Sequence, residues 1–92
     1  MKSIMQKNKE CYICHSPFNL EQHHTLHGTS NRKNADKYGL TVWLCNYHHT
    51  GSSQSAHQNA LVDLNLKREA QAVFEEKYGH EKFMEVFGKN YL

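Results

Sequence analysis

The chain has 92 residues, which suffices for one domain but not for two. Hydrophobic residues make up only 38% of it, so we expect a thin core that needs a bound metal or another cross-link. The formal net charge of +2, with 22% charged residues, excludes both an acidic disordered chain and a strongly basic nucleic-acid tail.

The cysteine content and the polar start of the chain predict a cytoplasmic protein. Three cysteines cannot all pair in disulfides, and the apolar run of a secretory signal does not follow the polar start. No stretch approaches the roughly 18 consecutive apolar residues that a membrane span requires. We therefore expect a soluble protein of a reducing compartment, with no membrane partner.

The first elements in chain order are a polar segment, a strand and a loop. Residues 1–10 are polar and lysine-rich with no apolar anchor, so we expect a flexible N-terminal segment. Residues 11–19 are rich in turn formers, and a short strand is predicted for residues 20–26. Residues 27–39 lack a sustained apolar period, which predicts a loop with one helical turn near residues 34–38.

A second strand and three helical segments are predicted next. Residues 40–45 are β-branched and aromatic, which predicts a strand that pairs with the first. Asn46 is expected to cap a brief helix start over residues 47–50. Apolar residues at three- and four-residue steps predict a helix over 61–78, and residues 81–87 predict a shorter one. We therefore expect a single α+β domain over residues 11–92, made of a core (11–57) and a helical part (58–92).

Two ligand pairs with two-residue spacing predict a structural zinc site. Cys11 and Cys14 form one pair, and Cys45 and His48 form the other. This spacing lets a turn aim both side chains at one ion, so the four residues provide the tetrahedral ligand set of structural zinc. The alternatives are three free thiols, or c-type haem attachment at the run from Cys11 to His15. Haem attachment belongs to exported proteins and leaves the second pair unexplained.

The other histidines suggest a second site. His23 and His24 are adjacent on the predicted first strand, and neighbouring residues of a strand point to opposite faces. One of them is therefore available for a metal while the other faces a different group. An imidazole with a pKa of roughly 6.5 suits proton transfer from water near neutral pH. The alternative is that these histidines are half-buried polar residues or extra zinc ligands.

At these positions the sequence resembles the zinc-containing branch of the HNH nucleases, also called the ββα-metal or His-Me finger fold. The resemblance implies a small treble-clef zinc-stapled ββα-metal (HNH) domain of the α+β class, followed by two C-terminal amphipathic helices. It extends to about residue 57, and three parts of the chain carry it: the Cys11/Cys14 knuckle, the run Gln22-His23-His24, and the run from Leu44 to His49.

The resemblance also implies separate roles for the histidines. His24 is expected to be the general base that takes a proton from water. A catalytic divalent metal, Mg²⁺, Mn²⁺, Ni²⁺ or Zn²⁺, is expected on His23, His49 and His57, where it would stabilise charge on the phosphate and on the leaving 3′ oxygen. The products would carry 5′-phosphate and 3′-hydroxyl ends.

The chain departs from the family pattern at two places. Gly39 and Leu40 stand where the family has the middle Asn that orients the base. The candidates for that role are Asn34, Asn31 or a backbone carbonyl. The family's last metal ligand falls on Ser53, so His57 is the expected ligand, and His27 is a spare candidate.

A metal-dependent DNA endonuclease is the function that the resemblance implies. We expect Arg32, Lys33 and Lys37, between the two strands, to contact DNA phosphates without sequence preference. Short chains with this arrangement look like phage or prophage nucleases. That likeness implies the cytoplasm of a bacterial host as location, and phage packaging or recombination proteins as partners.

Two other functions compete with this one. The same fold without the chemistry would be a zinc-binding module for nucleic acid or protein. Convergence of the three candidate catalytic-metal histidines at metal-bond distance distinguishes the enzyme from this module. A zinc-stabilised adaptor that works through its C-terminal helices would instead expose an apolar patch at Phe83, Met84 and Phe87.

Overall fold

A two-stranded antiparallel sheet and four helices form the part of the chain that the computed structural model describes, residues 2–92. Within this range no helix combines the length and the hydropathy of a membrane span. The elements in chain order are β1 (Leu20–His24), α1 (Thr29–Tyr38), β2 (Thr41–Cys45), α2 (Asn46–His49), α3 (Ala60–Tyr78) and α4 (His80–Phe87). The small α+β fold that the sequence predicts is therefore confirmed.

The two strands pair in one register, with Gln22 opposite Trp43 and His23 opposite Val42. Paired residues of a sheet share a face and neighbouring residues of a strand do not, so His23 and His24 lie on opposite faces. His24 lies on the same face as Gln22 and Trp43, and His23 lies on the other. Both predicted strands are present, and the sheet presents the histidine doublet to two different environments.

The segment between the strands contains a ten-residue helix, α1, and not the loop that the sequence predicts. The sequence gives no apolar period here because few side chains of α1 pack into the core. Among residues whose side chains the structure describes, Ala35 is fully buried and Tyr38 is half-buried. Gly39 ends the helix with a left-handed φ of 74°. A Cβ at Gly39 would lie 2.5 Å from the carbonyl oxygen of Lys2, so this glycine also permits a close backbone approach.

The N-terminal segment packs along the outer edge of β2. Ser3 Oγ donates to the Thr41 carbonyl at 2.5 Å, the backbone N–H of Ile4 donates to the Gly39 carbonyl at 2.9 Å, and Gln6 Oε1 accepts from the Trp43 N–H at 2.9 Å. Ile4 and Met5 pack against the apolar core. The expectation that nothing anchors residues 1–10 is thus corrected for residues 3–6. Met1 lies outside the described residues.

The C-terminal helices contribute four of the seven buried residues of one core cluster. Asn59 caps α3, because its Oδ1 accepts hydrogen bonds from the N–H groups of Leu61 and Val62. Phe83 and Phe87 of α4 are 0% and 6% exposed, so the apolar patch that an adaptor would need is buried. The core residues around them are Leu26, Ala35, Leu40, Ala70 and Phe74.

Phe74 lies at the centre of this core, with its ring 4.8–5.7 Å from the rings of four aromatic neighbours: Tyr38, Tyr78, Phe83 and Phe87. Phe74→Ala should lower the free energy of unfolding by about 3–5 kcal/mol, because it removes apolar contacts and leaves a cavity. Urea unfolding followed by circular dichroism measures the change.

Leu61→Ala is the matched control on the same helix. Leu61 is 64% exposed although the apolar period includes it, so its truncation should change stability by no more than about 0.5 kcal/mol. Equal losses for the two variants would contradict the described packing of α3.

Candidate metal centres

The first candidate centre joins two segments that are about thirty residues apart in sequence. Cys11 and Cys14 lie in the knuckle before β1, Cys45 ends β2, and His48 lies in α2. Their four donor atoms all lie within 4.8 Å of one another. The structure therefore brings together the Cys₃His cluster that the spacing predicts, and the cluster can hold a metal ion.

The donor distances fit tetrahedral coordination. Zinc–sulfur bonds of about 2.3 Å at tetrahedral angles place two sulfurs about 3.8 Å apart, and a sulfur and a nitrogen about 3.6 Å apart. The Sγ atoms of Cys14 and Cys45 are 3.7 Å apart, and His48 Nδ1 lies 3.4 Å from Cys45 Sγ and 3.7 Å from Cys11 Sγ. The donor set and its spacing are consistent with zinc binding.

Backbone hydrogen bonds shape the knuckle. The Cys11 N–H donates to the Ser16 carbonyl at 2.8 Å, and the Tyr12 N–H donates to the Trp43 carbonyl of β2 at 2.8 Å. Burial raises the pKa of Cys11, but backbone hydrogen bonds at Cys14, Cys45 and Ile13 outweigh it and lower the pKa to about 6. Cys11 is thus held in the thiolate form that metals bind.

His15 lies outside this cluster. Its Nδ1 is 3.1 Å from Glu10 Oε2, and its side chain is largely exposed. The thiols that haem attachment would consume belong instead to the Cys₃His cluster. This arrangement favours the metal hypothesis over the haem alternative.

Three histidines form a second candidate centre, the imidazole trio of His23, His49 and His57. Each offers a donor nitrogen, and the three nitrogens lie within 4.8 Å of one another. Their ring centroids are 4.7–5.3 Å apart, and the Nε2 atoms of His49 and His57 are 3.1 Å apart. Two nitrogens bound to one metal at about 2.0–2.1 Å lie roughly 3 Å apart, so this spacing fits a shared ion.

The loop after α2 brings His57 to the trio. The N–H of His57 donates to the His49 carbonyl at 3.2 Å, and the N–H of Ala56 donates to the His48 carbonyl at 2.8 Å. Gly51 lets the loop turn back toward α2, because a Cβ at this position would lie 2.5 Å from Asn46 Oδ1. The loop thereby brings His57, and not Ser53, to His23 and His49.

Two properties of the trio suit a metal site: its histidines have lowered pKa values, and one of them has a buried nitrogen without a hydrogen-bond partner. Burial, with a smaller contribution from the imidazoles of His49 and His57, lowers the pKa of His23 to about 3. Burial also lowers the pKa of His57. His23 is 3% exposed, and its Nε2 has no hydrogen-bond partner among residues 2–92. An unpartnered buried nitrogen costs about 1–3 kcal/mol, which a bound metal would remove.

A carboxylate orients the second imidazole of the trio. His49 Nδ1 donates to Glu21 Oε1 at 2.8 Å, so the lone pair of its neutral tautomer is on Nε2, toward the trio. Sequence inspection missed this partner, because Glu21 and His49 are 28 residues apart. The alternation of β1 could have indicated this partner, because it places Glu21 on the same face as His23.

His24 lies at the same cavity but is not part of the trio. The cavity has a volume of about 190 Å³, and its lining includes His24 and all three trio residues. Asp36 Oδ1 of α1 lies 3.6 Å from His24 Nε2. Asn34 was a candidate to orient this imidazole, but its amide donates to the Val86 carbonyl at 3.3 Å. Asp36, which the sequence did not single out, is the charged neighbour of His24.

His27 has a different partner. Its Nε2 donates to Asp63 Oδ1 at 3.0 Å, and Asp63 also binds Lys67 at 2.8 Å. His27 lines the cavity without joining the trio. The structure thus brings His57, and not the spare candidate His27, to the other two imidazoles.

The predicted DNA-contacting residues all lie on α1 but have different surroundings. Arg32 lines both the cavity and an adjoining groove of about 570 Å³, and Lys33 lines the groove. The ammonium of Lys37 lies 5.5 Å from the centroid of the Tyr38 ring. Arg32 is therefore the cation that the fold places beside the candidate centre.

Comparison with known proteins gives no match: no family model fits the chain, and no curated protein or solved structure is significantly similar to it. Its function is therefore inferred from the residues of the two centres.

Cys14→Ala should abolish both metal binding at the Cys₃His cluster and the cooperative unfolding transition. Structural zinc contributes about 10–16 kcal/mol to the folding of zinc-finger peptides, so the loss of a ligand removes most of the stability of a domain with a thin core. Mass spectrometry of the native protein and circular dichroism measure the two effects. His15→Asn is the control, because asparagine tolerates the positive φ of 66° at that exposed position. A folded, cooperative Cys14→Ala protein would contradict a structural role for the cluster.

Glu21→Gln should weaken metal binding by the trio about 10- to 100-fold and leave the Cys₃His cluster loaded, because the amide no longer fixes the tautomer of His49. Calorimetric titration with Ni²⁺ or Mn²⁺ measures this affinity. Glu76→Gln, an exposed carboxylate change on α3, should bind like wild type. Equal affinities for Glu21→Gln and wild type would show that the carboxylate does not support the centre.

Proposed function

We propose that this protein is a metal-dependent endonuclease that hydrolyses phosphodiester bonds of DNA. One observation carries the proposal: three imidazoles converge at the wall of a cavity whose lining also includes a fourth, His24, outside the trio. A site that only held a structural metal would have no need of a further histidine beside an open cavity. Phosphodiester hydrolysis needs both a metal-binding group and a separate proton acceptor.

The order of elements supports the finer fold assignment. A cysteine knuckle precedes a β-hairpin, and a short helix follows directly with the last zinc ligand, His48, and the trio residue His49. This order agrees with a treble-clef ββα-metal domain of the HNH type, which is the family that we propose for the chain. Zinc is the proposed occupant of the Cys₃His cluster, because three thiols and an imidazole form a usual structural zinc set.

The trio selects the class of catalytic metal. A divalent ion bound there would act as a Lewis acid toward the phosphate. Imidazole nitrogens suit Zn²⁺, Ni²⁺, Co²⁺ and Mn²⁺ better than Mg²⁺, which prefers oxygen ligands. The low pKa of His23 keeps its imidazole neutral at pH 7, so proton competition at this ligand is weak.

His24 is the proposed general base. It lies on the opposite face of β1 from His23, which leaves its imidazole free to accept a proton from an attacking water in the cavity. The Asp36 carboxylate lies 3.6 Å from Nε2, and we expect it to orient this imidazole. In this respect Asp36 takes the place of the family's middle Asn.

The charge of the cavity rim supports a polyanionic substrate. Arg32 reaches the cavity, and Lys33 lines the adjoining groove. Neither has a carboxylate within salt-bridge distance among residues 2–92. Phosphate contacts of this kind give affinity without sequence preference, so we expect cleavage of DNA with little sequence specificity.

His24→Ala should reduce plasmid cleavage by about 10²- to 10⁴-fold, because it removes the proton acceptor while both metal centres keep their ligands. The assay follows nicking of supercoiled plasmid by stripped protein after addition of Mg²⁺, Mn²⁺, Ni²⁺ or Zn²⁺. Metal content is measured on the same samples. The control is His80→Ala, which changes an exposed histidine at the start of α4.

Two outcomes would contradict the proposal. Cleavage by His24→Ala at the wild-type rate would remove His24 from the chemistry. No cleavage by wild type with any of the four ions, together with retained DNA binding, would favour the module that keeps the fold without the chemistry.

A further inference from the structure

Three concave surfaces meet at one residue of β1. Gln22 lines the cavity of the imidazole trio, the α1 groove that holds Arg32 and Lys33, and a third groove of about 270 Å³. The third groove, here called the lysine groove, is formed by the N-terminal segment and by β2. Its lining includes Lys2, Lys7, Lys9, Gln22, Thr41 and Trp43.

The lysine groove and the α1 groove share one face of the hairpin. Gln22 pairs with Trp43 and His24 pairs with Thr41, so all four residues belong to the same face. The α1 groove includes His24, and the lysine groove includes Thr41 and Trp43. The proposed general base therefore lies between two cationic grooves.

The lysine groove has no carboxylate in its lining, whereas the α1 groove includes Asp36. None of its three lysines forms a salt bridge within residues 2–92, whereas Lys67 and Lys82 of the C-terminal helices pair with Asp63 and Glu85. Charge is also distributed unevenly along the sequence. Residues 1–59 contain six Lys and Arg against three Asp and Glu, and residues 60–92 contain five against six. The net positive charge therefore belongs to the part of the chain that also contains the ligands of both candidate centres.

Specific contacts hold these lysines on the sheet. Ser3 and Gln6 hydrogen-bond to Thr41 and Trp43 of β2, and the ammonium of Lys9 lies 4.5 Å from the centroid of the Trp43 ring. A cation fixed above an aromatic ring loses less conformational freedom when it binds an anion than a free lysine does. The groove is thus organised before a ligand arrives.

We propose that the lysine groove is a second binding site for the sugar–phosphate backbone of the DNA substrate. The backbone runs from Arg32 and Lys33, past His24 and Gln22, to the lysines of the N-terminal segment. Lysine ammonium groups attract phosphates as point charges and read no base, so this site adds affinity and orientation but no sequence preference. The inference rests on the proposed function for the identity of the substrate.

The test compares two triple variants that remove the same charge. One is Lys2→Gln/Lys7→Gln/Lys9→Gln, and the control is Lys77→Gln/Lys82→Gln/Lys89→Gln, whose lysines line none of the three surfaces that meet at Gln22. Binding of fluorescently labelled single-stranded and duplex DNA to the zinc-loaded full chain is measured by anisotropy over a range of salt, with no catalytic metal added.

The groove variant should bind duplex DNA about five- to tenfold more weakly for each lost phosphate contact near 0.1 M salt. The slope of log K against log salt should fall by about 0.9 per contact for duplex and about 0.7 for a single strand. Comparison of the slopes identifies which form occupies the groove. The control should change neither affinity nor slope to this extent.

Thermal unfolding of each variant separates binding from folding, because Lys9→Gln removes the contact with Trp43. If the groove triple variant unfolds, the double variant Lys2→Gln/Lys7→Gln is measured instead, because it keeps Lys9. It should still lower the slope for duplex DNA by about 1.8. Equal binding by folded groove and control variants overturns the lysine groove as a site and leaves the nuclease proposal standing if wild type cleaves. No DNA binding by wild type overturns both.

Discussion

The Cys₃His cluster is the constraint on which the rest of the structure depends. It joins the knuckle to the end of β2, and His48, its last donor, immediately precedes His49 of the imidazole trio. The position of His49 then fixes His57 through a backbone hydrogen bond. A chain with 38% hydrophobic residues has few other means of holding these segments. A metal ion bound by the Cys₃His cluster would therefore also fix the positions of the trio histidines.

The two candidate centres differ in their donor atoms and in their surroundings. The first uses three thiols and an imidazole, and two of its cysteines are buried, so its ligand set is complete without water. The second uses three imidazoles beside an open cavity, and His23 Nε2 is buried without a partner among residues 2–92. That desolvated nitrogen costs stability in the metal-free protein, about 1–3 kcal/mol. A metal ion bound to this nitrogen would remove that cost.

Much of this arrangement could be predicted from the spacing of residues and from their alternation along strands. Contacts between side chains that are distant in sequence could not. The two ligand pairs, both strands and the helix over Ala60–Tyr78 follow from local sequence rules. Helix α1 was missed because it is anchored by too few apolar side chains to produce a period. The partners Glu21 and Asp36 were missed because pairing across 28 and 12 residues depends on the folded hairpin. Conversely, Leu61 fits the apolar period yet is exposed, since the fully buried residues of α3 begin at Leu66.

Under the function that we propose, helix α1 offers a substitute for the middle Asn that the HNH family has and this chain lacks. It places Arg32 and Asp36 one turn apart without a salt bridge between them, so each charge remains available to a different group. Asp36 lies 3.6 Å from Nε2 of His24, and Arg32 lines the cavity, where its charge favours an anion. Hydrolysis of a phosphodiester transfers a proton to the base and develops negative charge on the phosphate. Under the function that we propose, one short helix would thereby provide a carboxylate beside the base and a cation beside the phosphate.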